Sequence, residues 1–244
     1  MGVVVNNAAK TYHTWGRIVR ALDRVDLDAQ SSQVTLIVGT NGSGKSTLVR
    51  AISGLLSLDS GEILIDGVHL SAIGARAIAR CRGFIQQVPA ANLCPSFSIE
   101  EMIRLYLDGW APEHMRNARA AFRGYGIGIN SRIRELSGGQ QQLIALELVL
   151  SRRPSVLLLD EPTASLDPRN STRILERVAA AAAQGVTIIL VSHNIDLGLS
   201  ICDKVLLMHE GHVIATWAGT AVRELSASVL KTRLIEAATR SLGN

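Results

Sequence analysis

Residues 34–53 constrain this chain more than any other stretch. Val34-Thr35-Leu36-Ile37-Val38 is a short apolar, β-branched run, and Gly39-Thr40-Asn41-Gly42-Ser43-Gly44-Lys45-Ser46-Thr47 follows it directly. A helical pattern then runs from Ser46 to about Ser53 and is closed by Gly54. The apolar run reads as a buried parallel strand. The loop satisfies G-x-x-x-x-G-K-[ST] between a strand and a helix, the context that motif requires. Its glycines let the backbone wrap closely, so that N–H groups converge on phosphate oxygens, and the helix N-terminus adds unsatisfied donors and a positive dipole end. Lys45 is placed to put a point charge on the β- and γ-phosphates, and Ser46 to give its hydroxyl to Mg²⁺. The segment predicts a nucleoside triphosphate site.

Val156-Leu157-Leu158-Leu159-Asp160-Glu161 supplies a partner, a second buried strand ending in two acids. Asp160 can hold a Mg²⁺ shell through water, and Glu161, one residue further into the site, can polarise an attacking water. Two adjacent acids at a central strand end cost desolvation unless a cation or water occupies them. The chain has no Asn-Lys-x-Asp motif for reading guanine, so ATP is preferred over GTP.

Val186–Val191 is a third strand, preceded by a helix from about Arg169 to Ala183 with an alanine-rich end. Strands alternating with helices predict a mostly parallel sheet covered on both faces. Short alternating patterns at Val3–Tyr12, Ala21–Leu27 and Ile63–Gly67 predict an antiparallel β patch beside it. Between Val88 and Ser151 strand signals give way to helical ones. The expected organisation is an α/β P-loop NTPase core over residues 1–87 and 153–222, an inserted helical subdomain over 88–152, and a helical tail over 223–244. Charged residues are 19% of the chain and aromatics 4%, which excludes disorder and stacking surfaces for single-stranded nucleic acid. A net charge of +4 without a long basic run gives no reason to expect a nucleic-acid partner. Cys81, Cys94 and Cys202 have neither disulfide-framework nor zinc spacing. No signal peptide and no membrane span are predicted; the most apolar stretch, Leu143–Leu150, is short and carries Glu147.

Leu136-Ser137-Gly138-Gly139-Gln140 precedes a helix running to about Ser151, which makes a second helix-start anion site. Together with the glycine loop and the acidic strand end, in this order, the pentapeptide resembles the ATP-binding cassette ATPases, the nucleotide-binding subunits of ABC transporters. The resemblance covers Val3 to about Ile214. It places Tyr12 where an aromatic stacks on adenine, Gln87 (with Gln86 as the neighbouring register) as the glutamine that senses Mg²⁺, Ser165-Leu166-Asp167 as the loop crossing a dimer interface, and His193 as the switch histidine at the γ-phosphate.

The resemblance implies two cassettes, identical or paired, closing head to tail on two ATP molecules. It makes Glu161, His193 and Gln87 catalytic, and Ser46, Gln87 and Asp160 the Mg²⁺ set. Nucleotide contacts fall to Tyr12, Gly39, Asn41, Gly42, Ser43, Gly44, Lys45, Ser46 and Thr47, and to Ser137, Gly138, Gly139, Gln140 and Asp167. Integral membrane permease subunits and an external substrate-binding protein are the implied partners, at the cytoplasmic face of the cell membrane. The segment from Val88 to about Leu107 is the implied groove for the membrane partner.

Where the family usually shows basic residues after the signature, this chain has Gln141-Gln142-Leu143. That departure, with Gly126-Ile-Gly-Ile-Asn and Met208-His209-Glu210-Gly211, points to a less common group associated with uptake of amino acids such as tryptophan. A soluble cassette ATPase working on a protein scaffold, as in iron–sulfur assembly, is the alternative. Arg152-Arg153 before Pro154 are expected to complement the dipole at the end of the signature helix.

Overall fold

The apolar run at 34–38 lies in the interior of a six-stranded sheet, and its neighbours come from the far end of the chain. A computed structural model describes residues 2–14, 16–88, 92–164 and 166–242. Strands β1 (Gly2–Thr14) and β2 (Arg17–Gln30) form a long antiparallel hairpin. After β3 (Val34–Gly39), β4 (Ser60–Ile65) returns to pair with β1, and β5 (Val68–His69) pairs with β4, giving the order β2-β1-β4-β5. This is the antiparallel patch expected from the sequence, with Asp66 and Gly67 in the turn rather than in the strand.

The second sheet adds β6 (Arg82–Ile85), β7 (Val156–Asp160), β8 (Thr187–Val191), β9 (Lys204–His209) and β10 (His212–Ala218) in the order β10-β9-β3-β8-β7-β6. All its pairings are parallel except β9 with β10. The strands expected at 34, 156 and 186 are present. Sequence reasoning named no strand at β6, β9 or β10.

The helices are α1 (Lys45–Ile52), α2 (Ala75–Cys81), α3 (Ile99–Tyr106), α4 (Pro112–Gly124), α5 (Gly138–Leu150), α6 (Pro168–Ala183), α7 (Ile195–Leu199), α8 (Thr220–Arg223) and α9 (Ala227–Leu242). The parallel strands alternate strictly between two cores. Leu36, Leu157, Leu159, Ile188, Leu190 and Leu207 face one that also holds Ile103, Phe122, Ile144 and Leu148 from the helical stretch, Val178 of α6 and Leu230 of α9. Ile37, Leu158, Ile189, Val191 and Leu206 face the other, with α1 and the antiparallel sheet. A strand buried on both faces has no polar side to expose, which is why these runs are continuously apolar. The helical stretch therefore packs into the same apolar mass as the sheet.

Arg152 departs from expectation. Its guanidinium donates to the carbonyl of Tyr106 at 2.9 and 2.7 Å, so it serves the last residue of α3 rather than the end of α5. Arg153 instead pairs with Glu113 of α4 at 3.5 Å. The signature helix has no basic residue in its last turn.

Candidate nucleotide site

The glycine loop sits where β3 ends and α1 begins, braced from two sides. Gly44 is the left-handed N-cap of α1 at φ +98°, and a Cβ there would lie 2.2 Å from the Ala21 carbonyl of β2. At Gly39 a Cβ would lie 2.2 Å from the Met208 carbonyl of β9. The turn between β9 and β10 closes the brace, because Gly211 N–H donates to the Ser43 carbonyl at 3.1 Å. Met208-His209-Glu210-Gly211, read from sequence as a subgroup mark, thus supports the loop from behind. Lys45 folds back so that Nζ donates to the Gly39 and Thr40 carbonyls at 2.9 and 2.8 Å. Burial pushes its pKa down, while Glu161 and Asp160 pull it back up.

Beside this loop lies a cleft of about 490 Å³ lined by Tyr12, Val19, Ala21, Asn41 to Thr47, Gln87, Asp160, Glu161 and His193. Tyr12 and Val19 are direct cross-strand partners on the hairpin, so they form one apolar wall beside the phosphate loop. Val19 and Ala21 were not anticipated; only the hairpin register brings them to the site. Of the two candidate glutamines, Gln87 lines the cleft. Gln86 has its backbone held on both sides: its N–H donates to Asn92 Oδ1 at 3.2 Å and its carbonyl accepts from Gln142 Nε2 at 3.3 Å.

The acidic strand end gathers the groups expected from the sequence to hold a cation and a water. Ser46 Oγ donates to Asp160 Oδ1 at 3.2 Å, which brings the hydroxyl and carboxylate expected of a Mg²⁺ site together. Glu161 adopts a left-handed backbone, φ +55°, an unfavourable conformation for a residue with a Cβ. Its N–H donates to the Val191 carbonyl at 3.0 Å, and its Oε2 accepts from His193 N–H at 3.0 Å. His193 Nε2 stands 3.2 Å from Glu161 Oε1 without the alignment of a hydrogen bond, so that buried oxygen has no donor. Burial raises the Glu161 pKa, and the His193 amide and ring only partly offset it. An orphaned carboxylate oxygen beside a phosphate loop suits a site whose missing partner is water or substrate.

The signature residues do not reach this cleft. Ser137 caps α5 through a reciprocal box: its Oγ accepts from Gln140 N–H at 3.3 Å and Gln140 Oε1 accepts from Ser137 N–H at 3.0 Å. Gly139 lies against α6, where a Cβ would sit 2.6 Å from the Asn170 side chain. Asn170 in turn donates to Asp167, the N-cap of α6, through its backbone at 3.0 Å and its side chain at 2.5 Å. Ser137, Gly138, Gly139, Gln140 and Asp167 therefore form a second cluster, separate from the residues around Lys45. Ser165, expected beside Leu166 and Asp167 in the interface loop, lies outside the described residues.

Comparison with known proteins adds to this geometry. A family model described as "ABC transporter" matches residues 22–164. The methionine import ATP-binding protein MetN 2 of Staphylococcus epidermidis is 33% identical over 229 residues, covering 91% of this chain and 67% of that protein. A counterpart from Listeria innocua is 32% identical over 87% of this chain and 65% of its own length. This chain thus spans about two thirds of the methionine import relatives. The energy-coupling factor transporter ATP-binding protein EcfA2 of Symbiobacterium thermophilum is 37% identical over 80% of this chain and 70% of that protein. Among solved structures, a dimeric post-hydrolysis ATP-binding cassette bound to ADP and Pi superposes with a TM-score of 0.78 at 26% identity, covering 88% of this chain and 98% of the other. The cbiO1 protein of Clostridium perfringens, part of an ABC transporter complex, superposes with a TM-score of 0.78 at 29% identity, over 99% of this chain and 96% of its own.

Proposed function

Because the chain belongs to the ABC transporter family of ATP-binding cassettes, we propose that two copies, or one copy and a paired cassette, close head to tail on two ATP molecules and drive import of a small solute such as an amino acid through separate membrane subunits. ATP is the ligand and its hydrolysis the reaction of this family. One observation carries the two-cassette reading: the phosphate cleft and the Ser137–Asp167 cluster are separate, so each chain offers half of two sites.

The residues divide the work as follows. Loop N–H groups from Gly42 to Thr47 and Lys45 hold the phosphates, while Tyr12 and Val19 offer adenine a flat apolar wall. Ser46, Asp160 and Gln87 would hold Mg²⁺, which when bound neutralises charge on the β- and γ-phosphate oxygens. Glu161 takes a proton from the water whose oxygen attacks the γ-phosphorus, as the bond to the bridging oxygen breaks and ADP and phosphate leave. His193 keeps Glu161 oriented through its amide and meets the γ-phosphate with its ring. Ser137, Gly138, Gly139, Gln140 and Asp167 complete the site from the other chain. Because that completion exists only in the closed pair, ATP can stabilise closure and hydrolysis can release it.

Among the described residues no helix is long and apolar enough to cross a membrane. The relatives carry import in their names, which favours transport over the scaffold-ATPase alternative. The methionine relatives support an amino acid as cargo. Peripheral attachment at the cytoplasmic face, permease subunits and an external binding protein complete the reading.

Two experiments test it. Glu161→Gln protein should sediment as a dimer with ATP and as a monomer without it; a monomer under both conditions would remove the two-copy reading and leave a different paired cassette as the required partner. Purification from gently solubilised native membranes should recover an integral membrane subunit in stoichiometric amount. Recovery with soluble partners alone would overturn transport.

A further inference from the structure

The apolar stretch Leu143–Leu150 contains one charge, and the structure buries it. Glu147 of α5 is 3% exposed, and its carboxylate accepts three hydrogen bonds from two residues on other segments. Arg177 of α6 reaches it through Nε at 2.6 Å and a terminal nitrogen at 3.2 Å. The Tyr125 hydroxyl, from the end of α4, donates to the same carboxylate at 2.5 Å. Arg173, one turn before Arg177 on α6, lies over the Tyr125 ring at 4.5 Å. A buried carboxylate with a forked guanidinium and a phenol is directional in a way that leucine packing is not. Tyr125, pushed up to about 12 by burial and by its bond to Glu147, stays a donor throughout the physiological range.

The position of this cluster gives it a purpose. α5 and α6 also touch at their N-terminal ends, where Gly139 lies against Asn170. Glu147 is eight residues beyond Gly139, and Arg177 seven beyond Asn170, so the helices run parallel and are fixed at two points about two turns apart. One contact alone would leave a pivot; two set the angle and the register. The segments at that shared end are the signature loop and the Asp167 loop.

We propose that Glu147 is a positioning residue. Through Arg177 and Tyr125 it locks α5 to α6, so that Ser137–Gln140 and Asp167 meet the second cassette as one rigid edge. This rests on the head-to-tail reading above. Glu147 touches no nucleotide, so its removal should spare ATP binding by a single chain and weaken closure of the pair.

The test combines Arg177→Leu with Glu161→Gln, which blocks turnover. Single-chain affinity is read with a fluorescent ATP analogue at protein concentrations far below those that support dimers. Pairing is read by sedimentation with saturating ATP, at a temperature where every variant is folded. The expected result is ATP affinity within twofold of the Glu161→Gln parent and a dimer constant weakened at least tenfold. Arg177→Lys, which keeps a charged donor, should recover most of that loss. Tyr125→Phe removes only the hydroxyl and keeps the ring under Arg173. It should weaken pairing several-fold, and it stands in if Arg177→Leu does not fold. A dimer constant unchanged in both Arg177→Leu and Tyr125→Phe would overturn the proposal, as would equal losses in ATP affinity and pairing. A Glu161→Gln parent that never dimerises would instead sink the pairing of two copies of this chain.

Discussion

In the cleft, Lys45 is buried against loop carbonyls, Glu161 holds a carboxylate oxygen with no donor aligned to it, and that residue sits in a left-handed backbone. At the α5–α6 edge, Ser137, Gln140, Asp167, Asn170, Glu147, Arg177 and Tyr125 are all hydrogen-bonded to one another or to neighbouring backbone. The first region keeps a buried carboxylate oxygen without an aligned donor; in the second every named side chain is bonded. The contrast matches the two tasks proposed above. Chemistry needs groups that respond when phosphate and water enter. Recognition of another cassette needs a surface that is set beforehand, because every side chain ordered on binding subtracts from the affinity gained.

The contrast breaks first at the cleft. Lys45→Ala and Glu161→Gln should each lower ATP turnover about 10³-fold, the first by removing fixed charge at the γ-phosphate and the second by removing the base. Steady-state phosphate release measures both, and turnover within tenfold of wild type in either would contradict the assigned roles. The wild-type rate should also fall on acidification, with its limb above the ordinary carboxylate range, because burial raises the Glu161 pKa and only the ionised form accepts the proton. The same shift makes the folded protein hold that proton more tightly than the unfolded chain. Its stabilising contribution is therefore present at low pH and lost as pH rises through the raised value. Glu161→Gln should abolish that loss, visible as a smaller drop in melting temperature between pH 5 and pH 8.

At the edge, Arg177→Leu strands a buried carboxylate and should cost about 3–5 kcal/mol. For a chain of this size that is a fall of roughly 10 °C in melting temperature. A fall of only one or two degrees would mean Glu147 reaches solvent or another partner. Gly139→Ala places a methyl against Asn170 and should cost about 1–3 kcal/mol. Adding Asn170→Ala should return part of it in a denaturant titration. The smallest effect is expected away from both regions. Ser98 caps α3 through a capping box with Glu101, so Ser98→Ala should cost about 1 kcal/mol and leave turnover unchanged.

The readable parts of this fold were those with local causes. Val34–Val38, Val156–Leu159 and Val186–Val191 announce themselves as buried strands because each is apolar on both faces and bounded by glycine or proline. Arg82–Ile85 does not, since a four-residue strand beginning with arginine has no period to detect, and Lys204–His209 is equally consistent with a buried helical turn. In the site, Lys45, Ser46, Asp160 and Glu161 were readable because loop and strand end carry their chemistry in consecutive residues. Val19, Ala21 and Gly211 were not, because the first two reach the cleft through hairpin register and the third reaches the loop from a turn more than 160 residues downstream of Lys45. Glu147 was visible as a charge interrupting an apolar run, but nothing local marks Arg177, thirty residues further on, as its partner.

The placement of β3 has a consequence for how such a chain is made. Val34 pairs with Ile188 and Thr35 with Lys204, so the strand leading into the phosphate loop finds its neighbours only in the last quarter of the chain. At translation speeds of roughly 5–20 residues per second, the ribosome works on for about ten seconds or more after Lys45 has emerged before those strands appear. Throughout that interval the motif is complete as sequence while its strand lacks the neighbours that flank it in the fold. A nascent chain stalled before residue 187 should not retain ATP, while one released past residue 218 should. Nucleotide capture by a nascent chain would then report, late in synthesis, that its two ends have met.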